Sequence, residues 1–278
     1  MKKLWMLVFC LLTIVAAAKT PVQPTAAAAK QFTQIAKTIF PLVYEYLTAE
    51  LVAALNLSER PGIGIDIGGG PGDWVIRLAQ AAPGIYWINT DINPHYGGYF
   101  MQTALDSTVT SRVGWVPADA AALPFRDNYA DVIISRGSFQ FWPDLAAGIA
   151  EIRRVLKPGG KILLIVPNYL SLKEIFFEDY KHGWVTTRKR IKDMLLDCHY
   201  EILGFRYTIG WVTMRMNPLT AFLRFGFSIL FAVLRLNIVE RSMEFFKLDI
   251  ILGNKIKKTF FELIVIEAKV GNKKEIDE

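Results

Sequence analysis

Apolar positions along this chain follow two different periods. From Lys30 to Leu57, Phe32, Ile35, Ile39, Leu42, Val43, Tyr46 and Leu47 recur at three- and four-residue steps, which predicts helix, divided or kinked at Pro41. After Pro61-Gly62 the pattern becomes short apolar runs alternating with amphipathic stretches. Strands are predicted over 63–67, 85–89, 113–117, 130–135 and 161–166. Helices are predicted over 73–81, 96–107 and 145–156, the last closed by Lys157-Pro158-Gly159-Gly160. Strands alternating with helices at this spacing predict an α/β fold with a doubly wound, mostly parallel sheet. Further on, a helix is expected over 186–198 and strands over 200–208 and 260–269, with an insertion of about fifty residues before the last strand, its core placed at 212–259.

Two segments break the pattern by being almost wholly apolar. Met1-Lys2-Lys3 precedes Leu4 to Ala18, of which only Thr13 is not apolar, and the run ends in Ala16-Ala17-Ala18. A cationic start, a short apolar run and a small-residue end predict a secretory signal peptide. An uncleaved anchor is the alternative, although the run would span only about 22 Å of a hydrocarbon core roughly 30 Å thick. Pro21, Pro24 and Ala26 to Ala29 read as a linker, so residues 1–29 are set apart from a single domain over 30–278. The second segment, Leu219 to Leu236, lies in the insertion and has thirteen apolar residues of eighteen. On a helix, its Thr220, Arg224, Ser228 and Arg235 would share an arc of about 80°, leaving a wide apolar face. That face suits a lid packed on the sheet, a lipid surface or an apolar substrate pocket.

Composition sharpens this. The 278 residues are 52% hydrophobic and 21% charged, with a net charge of +6 and a mean hydropathy of +0.27. These values exclude a largely disordered chain. Cys10 and Cys198 are too few and too distant for a disulfide scaffold or a metal knuckle, so no metal is expected. From Lys181 to Lys258 there are 14 Lys and Arg against 6 Asp and Glu, a local +8. A basic bias interleaved with an apolar helix points to a membrane surface or an acidic ligand rather than to nucleic acid.

The candidate chemistry gathers at strand ends. Asp66-Ile67-Gly68-Gly69-Gly70-Pro71-Gly72 follows a strand and precedes a helix. Glycines at 68, 70 and 72 permit a tight turn and close approach of a ligand. The spacing differs from the G-x-G-x-x-G of dinucleotide sites, which disfavours an oxidoreductase. An aspartate before the loop suits a cationic amino group better than a pyrophosphate. Asp91, at the end of the second strand, could accept from both hydroxyls of a ribose, or could be a turn aspartate in Asp91-Ile92-Asn93-Pro94. Asp119 could accept from an adenine amino group, with Ala120 offering its backbone amide, or could cap its own loop.

With these residues in order, positions 62–167 resemble the class I S-adenosylmethionine-dependent methyltransferases, in particular the group that includes quinone and sterol methyltransferases. The resemblance extends through Asp119 to Asn128, Asp131 to Ser135, and Glu151 to Gly160. It implies a seven-stranded sheet closed by an antiparallel hairpin. It implies that Gly68 to Gly72 face the methionine part of S-adenosylmethionine, that Asp91 binds ribose, and that Asp119 and Ala120 bind adenine. Ser135 and Arg136 would line the cofactor pocket near the acceptor. The Asn/Asp-Pro-Pro-Tyr of amine-methylating members is replaced by Ser135-Arg136-Gly137-Ser138-Phe139-Gln140. The expected reaction is in-line methyl transfer to a small, hydrophobic, lipid-like or quinone-like acceptor. A non-catalytic S-adenosylmethionine-binding module at or beyond a membrane is the alternative. His182 is the candidate substrate-facing residue or base, whereas His95 and His199 read as structural and Cys198 as a core thiol. The N-terminus predicts export or anchoring, while supply of the cofactor favours the cytoplasmic side.

Overall fold

The computed structural model describes residues 24–57, 61–167, 188–208 and 263–270. The N-terminal apolar run, His182 and the insertion over 212–259 with Leu219 to Leu236 lie outside the described residues.

Two helices lead into the sheet. Helix α1 (Ala26–Ile39) starts at Thr25, whose hydroxyl accepts from the Ala28 amide at 3.2 Å. The Ala26 to Ala29 stretch expected as linker is therefore the first turn of α1. Alanine has the highest helix propensity, and a threonine cap is enough to start the helix there. Pro41 does divide the helical pattern: it stands at the first position of α2 (Pro41–Leu55), where its missing N–H costs nothing. Asn56, with φ 53°, ends α2 in the left-handed conformation.

The remaining elements alternate as β1 (Gly62–Ile67), α3 (Asp73–Ala81), β2 (Ile85–Asp91), α4 (Tyr96–Asp106), β3 (Val113–Pro117), β4 (Ala130–Arg136), α5 (Leu145–Val155) and β5 (Leu156–Pro167). Then come α6 (Arg188–Asp197), β6 (Tyr200–Thr208) and β7 (Leu263–Val270). The sheet has seven strands in the order β3-β2-β1-β4-β5-β7-β6. The pairings from β3 to β5 are parallel, and β7 runs antiparallel to both β5 and β6. This is the mostly parallel, hairpin-closed sheet that the pattern and the resemblance imply.

One boundary moves. Lys157 to Gly160 do not simply close a helix; they belong to the irregular start of β5, where Leu156 pairs with Ala130 and the register then shifts. Asp131 explains the shift. Its carboxylate accepts from the Ile63 amide at 2.9 Å and pairs with Lys157 at 2.8 Å, which draws this segment against the sheet.

Helices cover both sides of the sheet, so its strands are apolar in both directions. Val132 and Ile134 pack in one cluster with Leu51, Trp74, Leu78, Trp87 and Phe100. Ile133, between them in sequence, joins a second cluster with Ile65, Ile149, Ile152, Ile162 and Ile266. The chain passes outward from β1 through β2 to β3, then returns to β4 on the other side of β1. That reversal opens a crevice at the carboxyl ends of β1 and β4, where open α/β sheets bind ligands.

Candidate functional site

Asp66 sits near the carboxyl end of β1, 2% exposed. The loop after it adopts positive φ at alternate glycines: 71° at Gly68, 57° at Gly70 and 76° at Gly72. L-residues with a Cβ rarely adopt this conformation, so the three glycines are there for the turn. Close approach at two of them involves the protein itself. A Cβ on Gly68 would run into the Ser138 side chain, and one on Gly72 into the Phe100 ring.

The end of β2 holds the loop in shape. The Gly69 amide donates to the Thr90 carbonyl at 2.9 Å, and Asn89 Nδ2 donates to the Gly70 carbonyl at 2.9 Å. Thr90 Oγ1 donates to the Asp66 carbonyl at 2.9 Å. Asp91 Oδ2 accepts from the Gly70 amide at 3.0 Å, and its Oδ1 from the Asn93 amide at 2.9 Å. Asp91 is thus a turn aspartate and a strut for the glycine loop. Each carboxylate oxygen retains a further lone pair for a hydroxyl donor. Asn89 and Thr90, both fully buried here, belong to the site too; in the sequence their only trace is a pair of polar residues between an apolar run and Asp91.

Asp119 follows β3, and the Ala118 amide donates to the Asp91 carbonyl at 3.0 Å, which keeps this loop beside the ribose candidate. Asp119 Oδ1 caps the Ala121 amide at 2.9 Å, and Ala120 is buried. Arg154 fastens the following segment. It donates to the carbonyls of Leu123 and Phe125 and to the carboxylates of Asp127 and Glu151, while Glu151 also accepts from the Leu123 amide. The Arg154 hydrogen bonds hold the Glu151 carboxyl below its ordinary range. Arg154→Ala is expected to cost about 1.5–3 kcal/mol and to raise amide hydrogen exchange selectively over 119–128. Uniform exchange across the domain would count against an anchoring role.

At the end of β4, Ser135 is fully buried. Ser138 Oγ donates to the Ile67 carbonyl at 2.8 Å, which commits its only proton. Ser135 is therefore the donor in the 2.8 Å Ser135–Ser138 contact, and Trp142 Nε1 also donates to Ser138 at 3.3 Å. Ser135 thus braces β1 against β4 through Ser138, a role not visible in the linear sequence. Arg136 extends the other way. Its guanidinium lies 4.6 Å from the Phe40 ring centroid and 4.7 Å from that of Tyr44, on the N-terminal helices.

The electrostatics follow from burial. Burial pushes the Asp66 carboxyl up to about 7, against the pull of Arg136, with Asp91 adding to the rise. Asp91 is also raised by burial, opposed by backbone donors at Asn93, Gly70 and Ile92. Asp66 Oδ1 has no hydrogen-bond partner among the described residues. A buried carboxylate oxygen without a partner is costly, and a cationic donor would relieve it. Asp66, Gly68, Gly70, Gly72, Asp91, Asp119, Ala120, Ser135 and Arg136 are thus brought together along adjacent strand ends. His182 lies outside the described residues. Exposed His95 directs its backbone amide to Asn93 Oδ1, and Cys198 is half-buried. Among the described residues, no group of three or more His, Cys, Asp or Glu could hold a metal ion.

The family described as methyltransferase domain matches residues 65–164, from β1 into β5. Residues 65–164 thus carry a methyltransferase domain. S-adenosylmethionine is the cofactor of that family, and an orphaned buried carboxylate beside a glycine turn fits its cationic methionine end. The methyltransferase domain is 36% identical over 105 residues to the chloroplastic 2-methyl-6-phytyl-1,4-hydroquinone methyltransferase of Arabidopsis thaliana, covering 38% of this chain and 30% of that protein. It is 34% identical over 112 residues to the ubiquinone/menaquinone biosynthesis C-methyltransferase of Shewanella halifaxensis, covering 40% and 45%. These matches span less than half the length of either relative. A solved Methanococcus maripaludis protein, proposed to be an S-adenosyl-L-methionine-dependent methyltransferase, superposes with a TM-score of 0.55 at 27% identity, covering 65% of this chain and 89% of that one.

Proposed function

We propose that this protein transfers a methyl group from S-adenosylmethionine to a small, hydrophobic, quinone-like or lipid-like acceptor. The observation that carries the reading is the row of Asp66, Asp91 and Asp119 beside three left-handed glycines at the crevice of the sheet. Relatives named for phytylhydroquinone and for ubiquinone and menaquinone synthesis support the acceptor class.

When bound, S-adenosylmethionine supplies a methyl group already activated on a sulfonium. The chain's own residues hold and align it. Asp66 takes the amino group, Asp91 takes the ribose hydroxyls while bracing the Gly70 amide, and Asp119 and the Ala120 amide take the adenine edge. In-line displacement on an activated carbon gains most from alignment and exclusion of water. A base is needed only if the acceptor must lose a proton. The apolar runs Leu4 to Ala18 and Leu219 to Leu236 supply the membrane side of this reading. Among the described residues, no helix is long and apolar enough to cross a membrane. Protease protection in intact spheroplasts distinguishes a cytoplasmic from an exported domain.

Calorimetry with S-adenosylmethionine, S-adenosylhomocysteine and NAD tests the cofactor, with binding expected for the first two only. Sinefungin-sensitive methyl transfer to a quinone or lipid extract then tests turnover. Binding without transfer to any extract would favour a non-catalytic cofactor-binding module.

A further inference from the structure

Arg136 is an uncommon neighbour for a ligand that carries a sulfonium. A guanidinium beside a second cation is unfavourable unless something anionic lies between them. Among the described residues no carboxylate lies within ion-pairing distance of Arg136, yet its charge acts on Asp66. β1 and β4 are paired in parallel with Asp66 opposite Ile134, so Arg136 projects from the crevice two residues beyond that register.

Its position is prepared. The Phe40 and Tyr44 rings are 5.6 Å apart and tilted by 54°, so they form a corner rather than two parallel walls. A guanidinium seated in that corner is held by cation–π attraction and by a hydrogen bond to the Tyr44 hydroxyl, and its five N–H groups exceed what that one acceptor takes up. Tyr44 is fixed in turn by stacking on Trp74 at 6.4 Å, and Trp74 Nε1 donates to Thr48 at 3.1 Å. The charges also balance. Asp66 and Asp91 with Arg136 leave one net negative charge at the crevice. The sulfonium, ammonium and carboxylate of the cofactor's methionine end leave one net positive charge.

We propose that Arg136 is the carboxylate-binding half of a zwitterion receptor whose ammonium-binding half is Asp66, with Phe40 and Tyr44 holding the guanidinium in place. The inference rests on the S-adenosylmethionine reading and deepens it. It assigns the two charges of the amino-acid end to two strands, and it makes the N-terminal helices part of the cofactor site.

Calorimetry on the full chain tests this with two ligands, S-adenosylhomocysteine and its decarboxylated counterpart 5′-deoxy-5′-(3-aminopropylthio)adenosine. Both keep the amine, and only the first has the carboxylate. The wild-type protein should prefer S-adenosylhomocysteine by at least about tenfold, the scale of a charge-assisted bond. Arg136→Gln should collapse that preference by weakening S-adenosylhomocysteine alone. Arg136→Met, which keeps an apolar stem against the two rings, gives the same readout if the glutamine variant does not fold. Asp66→Asn should weaken both ligands and leave the preference intact. Equal weakening of both ligands by the Arg136 variants, or an unchanged preference, overturns the proposal and leaves the cofactor reading standing. A wild-type protein that binds neither ligand overturns both.

Discussion

Replacing Asp66 with asparagine is expected to stabilise the ligand-free protein at pH 8 by about 2–4 kcal/mol, while weakening S-adenosylmethionine binding at least about tenfold. The two effects have one cause. Burial lifts the Asp66 carboxyl from 3.8 to about 7, so the folded chain retains a proton there that the unfolded chain has already lost. Where the folded state binds the extra proton, stability falls as pH rises. Below about pH 4 the carboxyl is neutral in both states and costs nothing extra. Between pH 4 and 7 the cost grows, and above 7 it is fully present. Asparagine does not titrate, so its advantage should vanish at pH 4 and be largest at pH 8. Ligand binding runs the other way, because only the ionised carboxylate attracts the ammonium. Wild-type affinity should therefore decline as pH falls through about 7, and the asparagine variant should lack that dependence. Thermal unfolding at pH 4 and 8 together with calorimetry measures both. Loss of stability at pH 8 in the variant would mean that Asp66 is a satisfied structural group and not a ligand-facing one.

Gly72→Ala should lower the melting temperature by about 6–15 °C, corresponding to roughly 3–4 kcal/mol. A left-handed alanine costs about 1–2 kcal/mol at the φ of 76° found here. The added Cβ would also enter the fully buried Phe100 ring and lie 3.0 Å from Asn89 Nδ2, which donates to the Gly70 carbonyl. Because Gly72 caps α3, displacement there also tilts the first turn of the helix that carries Asp73 and Trp74. Combining Gly72→Ala with Phe100→Leu should recover the steric part and leave the backbone part. Gly98→Ala is the control. Nothing lies within 4 Å of its added Cβ, and an alanine inside α4 should be neutral or stabilising by about 0.5–1 kcal/mol. Differential scanning calorimetry of the four proteins separates the contributions, and an unperturbed Gly72→Ala would contradict the packing of the loop on Phe100.

Local and periodic features were legible before folding. Apart from the start of β5, the strand and helix boundaries hold to within a few residues, because the apolar run of β4 and the apolar stripe of α5 are consequences of burial on fixed geometry. Asp66, Asp91 and Asp119 could be placed at strand ends because each stands within two residues of the end of a strand-like run. The misreadings were also local. Ala26 to Ala29 lack any pattern and suit a linker as well as a helix, until Thr25 is seen to cap them. Lys157 to Gly160 look like a terminating turn until Asp131 draws Lys157 onto the sheet.

The chain alone therefore specified a doubly wound sheet, a glycine turn with an acid before it, and the family those motifs resemble. These depend on residue type and short spacing. Folding determined which groups meet across long gaps: Asp91 under the Gly70 amide, Ser138 on the Ile67 carbonyl, and Arg136 in the corner of Phe40 and Tyr44. Such contacts leave no periodic trace, because a hydrogen bond or a ring contact between residues 21 to 96 positions apart constrains two residues and nothing between them. They are also the contacts that give the site its charge pattern, since burial and neighbouring charge are properties of the packed sheet rather than of any segment.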